Sequence, residues 1–579
     1  MKYYAHSKSD SPKEKWQTVK EHCEEVGKQV ASFSSEWCDK DFAFDLGLLH
    51  DIGKYQQGFQ ERISGKNNSI EHAICGAKEC KQLGLPYYFN YCLQSCIAGH
   101  HSGLPDVGTM ADSEEMATLC ARLKRETQDY SVYKTDLALQ KIAKNPMINT
   151  DSPDSKSFSF WVRMMFSCLT DADYLDTERF CNGETERGVF ANLTKCEELL
   201  RAKMDSFVAD TDVKVARKSL QKQIMSNVTT DAEIYFMNMP TGSGKTLASM
   251  QFALARANRG GKKRIIYIIP FTSIIEQNAK VFKDIFGETS VLEHHCNFDY
   301  DSLECPTTAE KLKRSAENWD ASIIVTTNVQ FFESIYSNKS SHLRKLHNIA
   351  DSILIFDEAH MFPSKFYKPC LDAINIFVKQ YNCEAIFLSA TMPDFYTWLS
   401  EFGCVGAKCL DLIQDKSNAF SRCKIENLNS ISLEKLLVLA QEGSSSLIVV
   451  NSKKNARRVY ERLQGLKYHL STYMTHEDRS KTISNIKQSL LNGEKFCVVS
   501  TSLIEAGVDL DFQLVFREMA GLDNLLQTAG RCNREGIRQN AVAYAFTFEE
   551  CEMQPKKDKF AIKQYLCNQI FENYKDVQS

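Results

Sequence analysis

The segment that most restricts the fold is Pro240-Thr-Gly-Ser-Gly-Lys-Thr246, which joins the apolar run Ile234-Tyr-Phe-Met237 to a helical pattern. That strand–loop–helix order is what a phosphate-binding loop requires. Its glycines let backbone N–H groups approach phosphate oxygens, and the N-terminus of the next helix favours anions. Thr241, Gly242, Ser243 and Gly244 would form the cradle. Lys245 would contact the β and γ phosphates of ATP, and the Thr246 hydroxyl would ligate Mg²⁺. Met239, five residues before Gly244, stands where small residues are usual, so crowding of the loop and slower turnover are expected.

Further apolar runs follow: Arg264–Ile269, Ser322–Val325, Ser352–Phe356 and Ala385–Leu388, then a second series, Ser446–Val450, Phe496–Val499, Gln513–Phe516 and Ala541–Phe546. Fully apolar strands separated by helices belong to parallel sheets covered on both faces. The 579 residues are too many for one core. The pattern predicts an all-α domain over residues 1–205, one RecA-like α/β lobe over 206–415, a second over 416–550, and a short, charged, helical tail over 551–579.

Asp357-Glu-Ala-His360 follows its own apolar strand about a hundred residues after the phosphate loop. There Asp357 can hold Mg²⁺ and Glu358 can orient the attacking water. Ser389-Ala-Thr391, after the next strand, fits an element coupling hydrolysis to lobe movement. In Gln527-Thr-Ala-Gly-Arg-Cys-Asn-Arg534, Arg531 and Arg534 are three apart, read as one helix face, and are candidate arginine fingers. A solvated basic face is the plainer alternative. Thr326-Thr-Asn328 and Ser500-Thr-Ser502 stand at strand ends, where they suit either phosphate contacts without sequence readout or routine caps.

The helical N-terminal region carries His22, His50-Asp51, His72, His100-His101 and Asp171. Val19, His22, Val26, Val30 and Phe33 recur at helical spacing, which puts His22 on an inward face. Phe160–Leu169 reads as a buried helix that delivers Asp171 to the interior, with Asp173 and Asp176 as nearby alternatives. A lone buried histidine is usually a satisfied core residue, but an ordered set of imidazoles and carboxylates is a ligand set for divalent metals. Asp51, with two oxygens, can bridge two ions that hold a scissile phosphate and activate water. Lys54 would neutralise phosphate charge. His6 reads as local structure beside the site.

Composition narrows the setting. No apolar run reaches the roughly 18 residues of a membrane span, and the N-terminus has no apolar signal region. The 21 cysteines include no C-x-x-C pair, which argues for reduced thiols and a cytoplasmic chain. With a net charge of −4, any nucleic-acid contact must come from a local groove.

Together these strings resemble the CRISPR-associated helicase-nucleases of type I interference systems. The resemblance runs from Tyr3-Tyr-Ala-His-Ser7 to Glu535, through His50-Asp-Ile-Gly-Lys54, His100-His-Ser-Gly103, Asp171-Ala-Asp-Tyr-Leu-Asp-Thr-Glu178, Ile268-Ile-Pro-Phe-Thr-Ser273, Leu292-Glu-His-His-Cys-Asn297, Thr326-Thr-Asn-Val-Gln330, Ser502-Leu-Ile-Glu-Ala-Gly-Val-Asp509 and Gln527-Thr-Ala-Gly-Arg531. It implies an HD nuclease domain fused to a superfamily-two helicase. Such a protein is recruited by the Cascade effector complex, nicks the displaced single strand of an R-loop, and travels 3′ to 5′ on ATP. By position, His22, His50, Asp51 and Asp171 would hold one metal, and Asp51, His72, His100 and His101 the other. The ions would be Mn²⁺, Ni²⁺, Co²⁺, Fe²⁺ or Mg²⁺, in a monomer without a membrane partner. Gln223 would sit near the adenine, and Asp509 would couple ATP to the arginines. His360 stands where glutamine is frequent, and little follows residue 550 where many relatives carry an accessory domain, so the chain is either a compact version or a shortened one. The motifs alone leave DNA and RNA open. The same chemistry also suits another defence or repair pathway, or a translocase whose N-terminal domain does not cut.

Overall fold

A computed structural model describes residues 2–8, 11–66, 70–142, 145–148, 154–270, 272–302, 305–401, 408–414, 418–505, 510–549, 559–573 and 577–578. The chain opens with a small antiparallel pair, β1 (Tyr4–His6) and β2 (Gln17–Thr18), and then becomes helical. Local signals set the helix starts. Thr18 and Glu21 form a capping box on Val19–Phe33, and Asp39 and Asp154 cap Lys40–Leu49 and Ser155–Asn182. The polar stretch between about 105 and 155 is mostly loop, with short helices at Leu119–Arg122 and Tyr133–Asp136.

Lobe 1 is a sheet of seven strands: β3 (Ile234–Asn238), β4 (Arg264–Ile269), β5 (Leu292–His294), β6 (Ile323–Thr327), β7 (Ser352–Phe356), β8 (Glu384–Ser389) and β9 (Cys409–Asp411). All pairs are parallel, in the order β5-β6-β4-β7-β8-β3-β9. Lobe 2 repeats the plan with β10 (Lys424–Ile431), β11 (Ser445–Val449), β12 (Leu466–Leu470), β13 (Phe496–Ser500), β14 (Leu514–Glu518), β15 (Val542–Phe548) and β16 (Val577–Gln578). Its order is β12-β13-β11-β14-β15-β10-β16, parallel except for β16. The fold is therefore a helical domain followed by two parallel-sheet α/β lobes.

The domain seams differ in kind. One continuous apolar core joins the helical domain to a face of the lobe 1 sheet, from Val30 and Trp161 through to Phe331 and Phe387. Trp37 meets Tyr381 with ring centroids 5.4 Å apart, and Phe160 meets Phe377 at 5.4 Å. Each fully buried large apolar side chain contributes about 1.5–3 kcal/mol, so these two units form one body. Lobe 2 has separate cores on the two faces of its own sheet, and its seam with lobe 1 is polar. That seam is the one suited to movement.

Two boundaries fall elsewhere than the sequence pattern suggests. Cys196, Leu200 and Met204 of the helix Leu193–Asp205 lie in the lobe 1 core, so that helix belongs to lobe 1 and not to the N-terminal domain. Phe420 is also in that core while Cys423 is in the lobe 2 core, which puts the crossover near residue 421. In the tail, Lys559–Asn573 is a helix and β16 closes the lobe 2 sheet.

Candidate functional site

Helix ends build the N-terminal site. Lys40–Leu49 terminates at His50, with Asp51 in the turn beyond, and Tyr87–Gly99 terminates at His100, followed by His101. His72 is the residue before Ala73–Glu79, and His22 lies on the buried face of Val19–Phe33. The last carbonyls of a helix lack intrahelical partners and carry the negative end of its dipole. His50 Nδ1 donates to Gly47 O at 2.6 Å, and His100 Nδ1 to Ile97 O at 2.7 Å. His22 Nδ1 is likewise engaged by Asp176 Oδ2 at 2.6 Å, a carboxylate held in turn by Gln17 at 2.7 Å and Arg179 at 2.7 Å. With Nδ1 committed, Nε2 is the atom each ring turns to the interior.

Asp51 stands between two groups. Its Oδ2 is 3.3 Å from His22 Nε2 and 3.2 Å from His50 Nε2, and its Oδ1 is 3.5 Å from both His72 Nε2 and His100 Nε2. Asp173 Oδ1 completes the first group, 3.4 Å from His22 and 3.7 Å from His50. His101 completes the second, its Nε2 2.9 Å from His72 Nε2. Within each group of four, the ligand atoms lie within 4.8 Å of one another. The buried Nε2 atoms of His22, His50 and His100 find no hydrogen-bond partner among the described residues. Buried polar atoms without partners are costly, and a divalent cation shared by imidazoles and carboxylates would satisfy them. The residues fit a two-metal centre.

Protonation separates the groups. Burial disfavours charge on His22 and His50, but Asp173, Asp176 and Asp51 outweigh it and raise His22 to about 10, while Asp51 and Asp173 raise His50 to about 9. In the second group, burial prevails over Asp51 and lowers His72 to about 4 and His101 to about 3. Lys54 is buried, its Nζ 2.7 Å from Asp51 Oδ2 and 3.4 Å from His6 Nε2. His6 also meets Gln17 at 2.8 Å and lies outside both groups.

Asp171 is not where the sequence reading puts it. Its Oδ1 takes Arg344 Nε at 2.9 Å and Nη2 at 2.8 Å, and its Oδ2 takes Asn318 Nδ2 at 2.9 Å. These partners belong to lobe 1. Two residues along a helix rotate the side chain by about 200°, so Asp171 faces lobe 1 while Asp173 faces His22 and His50. Sequence reasoning also missed Arg122, which bonds Glu71 beside His72 at 2.6 Å and Ser102 beside His101 at 3.2 Å, tying two ligand-bearing loops together.

In lobe 1 the phosphate loop leaves β3 and enters the helix Lys245–Gly260. Gly242 and Gly244 have φ of 72° and 86°, which favours glycine. Lys245 Nζ is 2.8 Å from Glu358 Oε1, and Tyr267 donates to Asp357 Oδ2 at 3.1 Å. Burial and the adjoining Glu358 push Asp357 up. Burial acts the same way on Glu358, but Lys245, with His360 and Arg531 adding, holds it low. Glu358 is strained, at φ 46°. Met239 is fully buried in the lobe 1 core. A cavity of about 450 Å³ beside the loop is lined by Phe207, Val208, Arg217, Gln221, Gly242 and Arg534, among others. Gln223, from the same helix as Gln221, is not part of that lining.

Across the cleft, His360 Nδ1 meets Ser389 Oγ at 2.8 Å and its Nε2 meets Gln527 at 3.0 Å. The lobe 2 helix Leu522–Ala529 stops before Gly530, so Arg531 and Arg534 follow the helix and do not share a helix face. Arg531 is buried and donates to Glu505 O at 2.7 Å, and the Arg534 carbonyl accepts from Arg422. Arg422, which no motif flagged, donates to Thr241 O at 2.6 Å, and Arg217 donates to Gly242 O at 2.7 Å. Asp509 lies outside the described residues. Thr326 bonds the His294 carbonyl at 2.8 Å and Thr327 caps the next helix, so those hydroxyls serve local structure.

Three family profiles match in order along the chain: HD domain over residues 19–130, DEAD/DEAH box helicase over 218–397, and CRISPR-associated nuclease/helicase Cas3, C-terminal, over 442–537. A putative CRISPR-associated nuclease/helicase Cas3 of Methanocaldococcus jannaschii is 23% identical over 86% of this chain and 76% of its own length. The CRISPR-associated nuclease/helicase Cas3 of Haloferax volcanii is 23% identical over 52% of this chain, which spans 44% of that protein. The crystal structure of T. fusca Cas3-AMPPNP shares the fold with a TM-score of 0.74 at 15% identity, covering all of this chain and 79% of that one. The chain thus combines an HD domain, a DEAD/DEAH box helicase domain and a Cas3-like C-terminal domain in one polypeptide, the arrangement of the CRISPR-associated Cas3 HD–helicase fusions it resembles.

Proposed function

We propose that the chain is an ATP-driven 3′-to-5′ single-stranded DNA translocase joined to a metal-dependent nuclease, which degrades invader DNA in type I CRISPR interference. The observation that carries the nuclease is Asp51, whose two oxygens face separate four-residue groups of ligand type. His22, His50, Asp51 and Asp173 would hold one divalent ion, and Asp51, His72, His100 and His101 the other. The ions are Mn²⁺, Ni²⁺, Co²⁺, Fe²⁺ or Mg²⁺, and when bound they supply phosphate neutralisation and water activation. The chain's own part is to fix the ligands: helix-end carbonyls orient His50 and His100, Asp176 orients His22, and Lys54 balances Asp51.

In the motor, the backbone of Thr241–Gly244 would cradle the phosphates, Lys245 would contact them, and Thr246 and Asp357 would hold Mg²⁺. Glu358 would position water, Arg531 and Arg534 would serve the nucleotide from lobe 2, and Asp509 would couple them to ATP. The base would lie in the cavity lined by Arg217 and Gln221. The partners are the displaced strand of an R-loop and Cascade, a reading carried by the family resemblance. We place the protein in the cytoplasm as a monomer; no helix among the described residues is long and apolar enough to cross a membrane.

The test is incubation with circular single-stranded DNA and Mn²⁺, Ni²⁺ or Mg²⁺, with and without ATP, beside Asp51→Ala. Metal-dependent cutting that disappears in the variant is expected. Persistent DNA-stimulated ATP hydrolysis without cutting under any metal would refute the nuclease assignment.

A further inference from the structure

One lobe 1 segment touches the HD-domain elements that carry ligands of both groups. Residues Asn338–Ile349 run between the helix Asn328–Tyr336 and β7, the strand that ends at Asp357 and Glu358. At its start, the Asn338 carbonyl accepts Leu104 N–H at 2.9 Å, and Ser340 Oγ donates to the His100 carbonyl at 3.1 Å. Gly103 sits so close that a Cβ there would lie 2.4 Å from Asn338 O. The segment thus grips the turn that presents His100 and His101. Farther along, Arg344 clasps Asp171, and His347 exchanges two hydrogen bonds of 3.0 Å with Ser167 Oγ. Both anchors lie on Ser155–Asn182, the helix that presents Asp173.

The contacts are buried and specific. Asp171 and Arg344 side chains are 1% and 7% exposed, and Ser167 is fully buried. A buried Arg–carboxylate pair has one good geometry, so moving Arg344 rotates or shifts the helix that carries Asp173. Hydrogen bonds behind a metal ligand set its direction, and their loss typically weakens binding about 10–100-fold.

We propose that this lobe 1 strap is a positioning element for the two-metal centre: Arg344, through Asp171, places Asp173, and Ser340, through the His100 backbone, places His100 and His101. The ligand geometry of the nuclease is thereby completed by the motor domain. The strap leads directly into β7, just beyond which Asp357 and Glu358 stand. This inference rests on the two-metal reading above.

The experiment uses the full chain. Bound Mn²⁺ is titrated by electron paramagnetic resonance in the unmodified protein, Arg344→Met, Arg344→Lys and Ser340→Ala, with ATP hydrolysis measured alongside. Arg344→Met should weaken one ion about tenfold, Arg344→Lys should recover part of that loss, and Ser340→Ala, which removes a single hydrogen bond to a backbone carbonyl, should weaken the other ion about threefold. ATP hydrolysis should stay unchanged. Undiminished Mn²⁺ binding in both Arg344→Met and Ser340→Ala overturns the proposal, as does an equal loss in both Arg344 variants together with ATP hydrolysis. If Arg344→Met does not fold, Ser340→Ala decides alone. No Mn²⁺ binding by the unmodified chain would instead reject the metal centre itself, and the strap's role with it.

Discussion

Changing Asp171 and Asp173 to asparagine, one at a time, should separate two acids that the sequence makes look equivalent. Asp171→Asn leaves Arg344 without its carboxylate in a site where both side chains are nearly inaccessible. Breaking a buried ion pair by removing one partner costs about 3–5 kcal/mol. Glu317, 3.3 Å from Arg344 Nη1 and 46% exposed, compensates only in part, so the lower end applies. At about 2 °C per kcal/mol for a large domain, the melting temperature should fall by roughly 6 °C. The metal groups keep every ligand, so the Mn²⁺-induced rise in melting temperature, about 2.7 kcal/mol of stabilisation at a hundredfold excess over Kd, should persist with at most the loss expected of a residue behind the site. Asp173→Asn instead removes the carboxylate 3.4 Å from His22 Nε2. It should weaken one ion by more than the roughly 10–100-fold that an outer partner costs, and the Mn²⁺-induced rise should largely vanish. Calorimetry with and without Mn²⁺ reads both effects. Retention of the metal response in Asp173→Asn and its loss in Asp171→Asn would refute the assignment.

Metal binding should release protons. His22 and His50 are raised to about 10 and about 9 without metal, so both are charged at pH 7. Being raised, they contribute stability fully present below about 6.5 and lost as pH climbs through those values, whereas metal affinity should grow over the same range. Titration calorimetry in buffers of different ionisation enthalpy checks this, and affinity independent of pH between 6 and 9 would contradict it. Gln527→Ala removes the 3.0 Å link to His360 across the lobe seam. If that hydrogen bond contributes about 1–1.5 kcal/mol in the closed state, DNA-stimulated ATP hydrolysis should drop about five- to tenfold; an unchanged rate would deny the coupling. Met239→Ala should cost about 2–5 kcal/mol of stability through a core cavity and leave nucleotide affinity as it was. Faster turnover in that variant would show that Met239 crowds the loop.

The central strands were legible because burial on both faces leaves a continuous apolar run, which is why β3, β4, β6, β7, β8, β11, β13 and β14 stand out. The edge strands β5, β9 and β12, and β10 one place in from the edge, did not, since they are short or carry polar residues such as Lys424, Glu426 and Ser430. The arginines after Gln527 were read as one helical face because three-residue spacing permits it, but the helix ends first, at Ala529. The helix Leu193–Asp205 has a single apolar stripe that either neighbouring domain would accept, and only its contact with Lys245–Gly260 settles which.

Residue chemistry along the chain determined the kind of machine: a phosphate loop after a strand, an acidic pair at the end of another, and an ordered set of histidines and aspartates. Those depend on local bonding and period. Which aspartate faces the metal groups depends on the tertiary fold. Asp171 and Asp173 are both buried on one helix, so burial, the property that pattern reports, is the same for both. What differs is the neighbour on each side, His22 and His50 on one and Arg344 of lobe 1 on the other. Those partners come from helices and loops far away in sequence, and only the packing of the HD domain onto lobe 1 brings them to opposite faces of the same turn.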